Sequence, residues 1–337
     1  MLRLAAIGLR IHGHGGIAEV LSSGNARLVA IAEDGSDGPQ RRQAAEARYG
    51  VPVYADWQRM LDRESPDLAI VCPPHDQKAA VTVACLQRDV HVLVDKPLAI
   101  DHQGLDRIEQ ALAQSRAELQ MMLTERFNPL FVALQQLVAS GRLGRLAGCV
   151  AMRPHEFTIV QTEPWMWDPA REGGIFLDLM IHDIDLVRWL TGAEVVAVQA
   201  AQLQARFTRP GFHDIGQALL RLAPDSTASL EADWLVPTGA PWDCRFFAIG
   251  SEGTAEVAAL DRDGFWYWEP GKERKHVPPV TQHPSSSGAD LIARIRGSAT
   301  TVLSAADAIA ATRIALHARD AAERGATIAV QQDRERP

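Results

Sequence analysis

The sequence has no C-x-x-C pair; its four cysteines, Cys72, Cys85, Cys149 and Cys244, stand far apart. That spacing argues against the common zinc and dithiol redox motifs. Mostly apolar neighbours suit buried free thiols in a reducing compartment. No apolar run approaches the length of a membrane span, so no membrane partner is expected. The opening Met-Leu-Arg-Leu-Ala-Ala-Ile-Gly is too short for a secretory h-region and reads as a first strand. A cytoplasmic protein is the expectation. Positive charge is also scarce: 34 Lys and Arg against 42 Asp and Glu give a formal charge of −8. A nucleic-acid footprint needs a clustered basic excess, so no nucleic-acid partner is expected either. Internal repeats are absent. Pro278–Gly288 stands out as a Pro/Ser/Gly-rich stretch and reads as a surface loop.

What is present fits two soluble domains. A length of 337 residues exceeds one ordinary core, and 47% hydrophobic with 23% charged residues is a globular composition. The first third alternates short apolar runs with amphipathic segments. Strands are read at Leu4–Ile7, Arg27–Ala32, Val51–Tyr54, Leu68–Cys72, Val90–Val94 and Leu119–Leu123. Helices are read at Gly15–Leu21, Gln40–Tyr49, Gln77–Gln87 and Gln103–Ser115. Uninterrupted apolar strands separated by helices imply a parallel sheet covered on both faces. After Arg126 the period changes. In Ala228–Trp234, residues Ala228, Leu230, Ala232 and Trp234 share one side, and Ser229, Glu231 and Asp233 the other. That alternation predicts half-buried strands of an antiparallel sheet.

Gly8-Leu9-Arg10-Ile11-His12-Gly13 joins the first strand to the first helix. A dinucleotide fold turns its chain here and aims a helix N-terminus at pyrophosphate. Arg10 occupies the place of the second glycine. Glu33 closes the next strand about twenty residues on, the spacing of a ribose-binding carboxylate. Candidate cofactor residues are therefore Gly8, Leu9, Arg10, Ile11, Gly13, Glu33 and Asp34. The two acids favour NAD. Arg10, Arg41 and Arg42 keep NADP open. His12 and His14 are left open between phosphate contact and plain exposure.

Farther on, Val94-Asp95-Lys96-Pro97 resembles the E-K-P signature of the glucose–fructose oxidoreductase, inositol dehydrogenase and MocA family, with Asp95 for the usual Glu. Cys72-Pro73-Pro74 is similar to the family's T-P-x strand end, which passes under the nicotinamide. Gln77 stands where the family often has His. The run from Gly173 to Asp185 resembles the G-G-x-x-x-D-x-G-x-H-x-x-D helix, with Met180 for the commoner Gly. Arg126-Phe127-Asn128-Pro129 resembles the segment entering the second domain. The resemblance implies an N-terminal doubly wound Rossmann domain over residues 1–125. It also implies an α/β domain with an open, mainly antiparallel sheet over residues 126–337, for substrate binding and oligomerisation. Cys72, Pro73, Pro74, Gln77, Asp95, Lys96 and Pro97 join the expected cofactor site. A homodimer or homotetramer is implied as well.

The residues themselves point to hydride chemistry. Oxidising a secondary alcohol requires taking the hydroxyl proton, and His is the usual base near neutral pH. Asp178 and His182, at i and i+4, share one helix face; Asp185 is expected to extend that face outward toward a cleft. Lys96 lies at the carboxyl end of a parallel strand, where it can polarise a substrate oxygen. The expectation is His182 as acid/base, Lys96 as polarising group and Asp178 as orienting group. Arg126, Asn128, Trp165, Trp167 and Arg171 are further candidates for a sugar, inositol or other polyol substrate. No metal site is expected, because lysine supplies the positive charge. Two alternatives share the fold: a non-catalytic dinucleotide-binding sensor and a glycosidase that retains NAD.

Overall fold

The structure, a computed structural model, describes residues 1–33, 39–157, 163–280, 286–298 and 301–330. The chain divides into two compact units. One comprises Met1–Leu123, Ala170–Glu172 and Pro284–Ile309; the other comprises Thr124–Pro169, Gly173–His283 and Ala310–Pro337. No helix among the described residues is long and apolar enough to cross a membrane.

The first unit is built on six parallel strands: β1 (Leu2–Ile7), β2 (Ala26–Ala32), β3 (Val53–Tyr54), β4 (Leu68–Val71), β5 (His91–Asp95) and β6 (Leu119–Met122). Their order is β3-β2-β1-β4-β5-β6. All four residues of β4 are buried, as expected of a strand covered on both faces. The order reverses between β1 and β4. At such a switch point a crevice opens outside the carboxyl ends of the strands. The loops after β1, β2, β4 and β5 all leave the sheet at those ends, so the glycine loop, Glu33, Pro73-Pro74 and Lys96 share one edge.

Two features of this unit differ from the sequence reading. A helix at Trp57–Glu64 follows β3, capped by the Asp56 carboxylate, which accepts from the Gln58 and Arg59 amides. The Pro278–Gly288 stretch is not all surface loop. Ser286 caps a helix at Ser287–Ile295, and both Ser287 and Gly288 are buried; residues 281–285 lie outside the described residues. Leu291 and Ile292 of that helix join Leu4, Ile17, Ile70 and Met122 in one apolar cluster. The Gln120 amide donates to Asp290 at 3.2 Å, which pins the helix to β6.

The second unit is a nine-stranded sheet of β7 (Leu146–Glu156), β8 (Val195–Leu203), β9 (Ile215–Leu222), β10 (Ser226–Val236), β11 (Arg245–Gly250), β12 (Thr254–Ala258), β13 (Phe265–Trp268), β14 (Lys275–Val277) and β15 (Ile328–Ala329). The order is β14-β13-β12-β11-β7-β10-β9-β8-β15. β7 and β10 pair in parallel, while β10 with β9 and β11 with β7 pair antiparallel. The alternation expected in β10 is present: Ala228, Leu230, Ala232 and Trp234 are buried, and Ser229 is exposed. Helices Pro129–Ala139 and Ile181–Thr191 cover one face. Met152 and Leu219 remain exposed.

Candidate active site

Gly8 leaves β1 with φ at +77°, and a Cβ there would stand 2.4 Å from the Cys72 carbonyl oxygen. Only glycine allows this turn and this close approach. Gly13 opens the helix Gly13–Ser22, whose N-cap residue, His12, makes no side-chain cap bond. The positive end of that helix is therefore left to backbone amides. Ile11 adopts φ +47°, a conformation that β-branched residues rarely take and that clusters at ligand sites. Leu9 donates its amide to Glu33 Oε2 at 2.9 Å. Arg10, 2% exposed, lies with its Nη2 3.7 Å from Glu33 Oε1.

Gly8, Arg10, Glu33, Pro73, Pro74 and Gln77 line one pocket, together with Trp57. Trp57 is not among the residues read from the sequence: with Met60 and Leu61 it forms an i, i+3, i+4 apolar face, and such a face reads as packing rather than as a ligand site. Asp34 lies outside the described residues. The glycine cradle, the uncapped helix end and the carboxylate at the end of β2 together fit a dinucleotide.

At the end of β5, Asp95 is 2% exposed and engaged on both oxygens. Lys78 Nζ donates to Oδ2 at 3.2 Å, and His12 Nδ1 is 2.9 Å from Oδ1. Lys78 Nζ also donates to the Lys96 carbonyl at 2.5 Å. Burial opposes ionisation of Asp95, but the Lys78 ammonium and then His12 outweigh it and hold the carboxyl well below its usual range. Burial lowers the Lys78 pKa, with Asp95 opposing. Burial also pushes the neighbouring Cys72 thiol well up. Lys96 is 5% exposed. Pro97 follows it through a cis peptide bond.

In the second unit, Gly173 and Gly174 adopt φ of +98° and +99°. A π-helical turn then spans Phe176–Met180 and runs into the α-helix Ile181–Thr191. Such widened turns are frequent at functional sites. Asp178 on the π-turn is 1% exposed, and His182 on the α-helix is partly exposed. The outward polar stripe expected through Asp185 is corrected, because Asp185 turns inward. Arg126 donates to it through Nε at 2.8 Å and Nη2 at 2.7 Å. Asp183 is held likewise, by Arg153 Nε and Nη2 at 2.8 Å each, and Arg153 Nη1 reaches Glu125 at 2.9 Å. Burial would lower the Arg153 pKa, but Asp183 and Glu125 raise it well above its usual value. The helix is thus tied down just after His182 at two points.

The expected substrate residues have other partners too. Arg126 is committed to Asp185 and lies over the Trp189 ring at 5.6 Å. Asn128 caps the helix Pro129–Ala139, accepting the Leu130 amide at 3.0 Å and donating to the Ala259 carbonyl at 3.3 Å. The buried Trp165 indole donates to Glu163 at 2.8 Å. Trp167 packs against Phe157 at 4.5 Å, with the Arg209 guanidinium 4.3 Å from its ring. Arg171, in the first unit, donates to Asp76 at 3.3 Å.

Residues 2–123 match the family profile described as oxidoreductase family, NAD-binding Rossmann fold, and residues 131–256 match the GFO/IDH/MocA C-terminal domain. The chain belongs to the Gfo/Idh/MocA oxidoreductase family. It is an NAD-binding oxidoreductase. Among its Gfo/Idh/MocA relatives is inositol 2-dehydrogenase 2 of Saccharopolyspora erythraea, 25% identical over 76% of this chain and 73% of that protein. Another is the myo-inositol dehydrogenase Hyg17 of Streptomyces leeuwenhoekii, 32% identical over 56% of this chain and 57% of that one. A solved Thermotoga maritima protein, provisionally described as an oxidoreductase, superposes with a TM-score of 0.89 at 24% identity, covering 98% of this chain and all of that one. The WlbA dehydrogenase of Bordetella pertussis, solved with NADH and UDP-GlcNAcA, gives a TM-score of 0.83 at 20% identity. That match covers 98% of this chain and 99% of the other.

Proposed function

We propose that this oxidoreductase transfers a hydride between NAD and a secondary hydroxyl of a cyclic polyol or sugar. The observation that carries the reading is the end of β5, which presents Lys96 at the carboxyl edge of a parallel sheet, beside a glycine cradle fitted to a dinucleotide. The inositol dehydrogenases among the relatives support the polyol class. Bound nicotinamide supplies the hydride acceptor. Lys96 Nζ donates to the reacting oxygen and stabilises the charge developing on it. His182 accepts the hydroxyl proton, and its partial exposure lets that proton leave to solvent. Asp178 orients the neighbouring hydroxyl or the imidazole.

Glu33 favours NAD over NADP in this reading. A carboxylate at the end of β2 accepts from a ribose hydroxyl and repels a 2′-phosphate, and Arg10 already spends its charge on it. The second unit would bind the polyol and, through the exposed face carrying Met152 and Leu219, join copies into a homodimer or homotetramer. Four buried free thiols suit the cytoplasm.

A panel of inositols, aldoses, amino sugars and 1,5-anhydro sugars, each with NAD and NADP, tests the assignment through the absorbance of reduced cofactor. Turnover with at least one polyol is expected, preferentially with NAD. Lys96→Ala and His182→Ala should each lower kcat by at least about a hundredfold. Full turnover in either variant would overturn the role proposed for the residue replaced.

A further inference from the structure

Lys78 is the least expected charge in the first unit. It lies on the helix His75–Leu86, in the run Lys-Ala-Ala-Val, and is fully buried. A buried ammonium is costly unless its protons are used. Two go to groups at one turn: the Asp95 carboxylate at 3.2 Å and the Lys96 carbonyl at 2.5 Å. Asp95 gives its other oxygen to His12, beside the glycine that opens the first helix. One side chain from the β4–β5 crossover helix thus grips the two residues that precede Pro97, and the same carboxylate is tied to the glycine loop.

We propose that Lys78 is a positioning residue for Lys96, fixing the backbone from which the Lys96 side chain reaches the reacting oxygen. The inference rests on the reading of Lys96 as the polarising group. Donation to the Lys96 carbonyl sets the direction in which the Lys96 peptide leaves β5. The bond to Asp95 fixes where Lys78 itself stands. Losing the grip frees the turn without removing any group that touches substrate, so the cost falls on orientation rather than on binding. Misplacement by about 1 Å is enough to cost on the order of a hundredfold in rate.

The test compares wild type with Lys78→Met, which keeps the length of the side chain and removes its charge. Amide hydrogen exchange is measured on residues 91–100 of the cofactor-free protein, alongside NADH binding by fluorescence and steady-state kinetics on the active polyol. Exchange in that segment should rise by roughly tenfold or more while residues 2–7 stay unchanged. NADH affinity should hold within about threefold, with kcat falling roughly a hundredfold at an unaltered polyol KM. If Lys78→Met alone does not fold, Lys78→Met with Asp95→Asn removes both buried charges and permits the same measurements. Unchanged exchange at residues 91–100, or unchanged kcat in a variant with raised exchange, overturns the proposal. Should wild type turn over no polyol, the dehydrogenase reading falls, and the exchange comparison alone decides whether Lys78 braces the turn.

Discussion

Arg126 and Asp185 form a two-point ion pair, Nε to Oδ2 at 2.8 Å and Nη2 to Oδ1 at 2.7 Å, with both side chains buried. The pair joins the 3-10 turn Thr124–Phe127 to the helix that bears His182. Removing one partner leaves an uncompensated buried charge, which costs about 3–5 kcal/mol. Arg126→Met should therefore destabilise the protein by about that amount in urea unfolding, and Arg126→Met with Asp185→Leu should recover most of it. A single variant of near wild-type stability with a greatly raised polyol KM would return Arg126 to the substrate.

This pair also marks where the sequence stops being legible. The local signals are readable: β1 to β6 as short apolar runs, the glycine turn at Gly8, the alternation of Ala228 to Trp234. Each is written within a few residues. Arg126 and Asp185 are 59 residues apart, and no local pattern tells a charge facing a cleft from one facing a distant partner. Helical spacing puts Asp185 on the face of His182, but tertiary pairing decides where it points. Lys78 is hidden for the same reason. A lysine amid alanines reads as a solvated position, and only the approach of β5 shows that it is buried. The helix at Trp57–Glu64 carries two local signals, the Asp56 cap and the i, i+3, i+4 spacing of Trp57, Met60 and Leu61, but over eight residues they make too short a pattern to stand out.

The glycine loop yields a second expectation. Gly8→Ala would place a Cβ 2.4 Å from the Cys72 carbonyl at a φ of +77°, and neither backbone can give way cheaply. We expect NADH affinity, read by fluorescence titration, to fall by at least about tenfold, because the loop must shift away from the pocket it lines. Gly15→Ala is the control. A Cβ there meets nothing within 4 Å, so the same substitution should leave affinity unchanged within about twofold. Equal losses in both would mean that the close approach at Gly8 is not what shapes the site.

Asp95 carries a pH signature. Burial works against its charge, but Lys78 and His12 bring its folded pKa well below the ordinary carboxylate value of about 3.9. A depressed carboxylate contributes stability that is complete above the unfolded pKa and is lost as pH falls toward the folded one. Asp95→Asn lacks that contribution and leaves Lys78 buried without its anion. The variant should be less stable than wild type by about 3–5 kcal/mol near pH 7. The gap should narrow once the pH drops below about 4. Urea midpoints of both proteins, taken stepwise from neutral to acid pH, provide the comparison. A gap that stays constant through the acid range would show that Asp95 is not held ionised by its partners.

The thiols give the last expectation. Cys72, Cys85, Cys149 and Cys244 are free and buried, and desolvation pushes Cys85, Cys149 and Cys244 up to about 12. Near pH 8 a thiol with that pKa is ionised in about one molecule in ten thousand, so thiolate chemistry is nearly shut off in the folded protein. Ellman's reagent should modify less than one thiol in the native protein and all four after guanidinium is added. Cys244 has a cationic donor close by: Arg153 Nη1 lies 3.6 Å from its sulfur, and the guanidinium opposes the rise in its pKa. Slow native labelling, where it occurs, should therefore begin at Cys244, and Arg153→Met should abolish its lead. Early labelling of Cys72 instead would mean that the strand end beneath the glycine loop opens to solvent more readily than its packing against Gly8 allows.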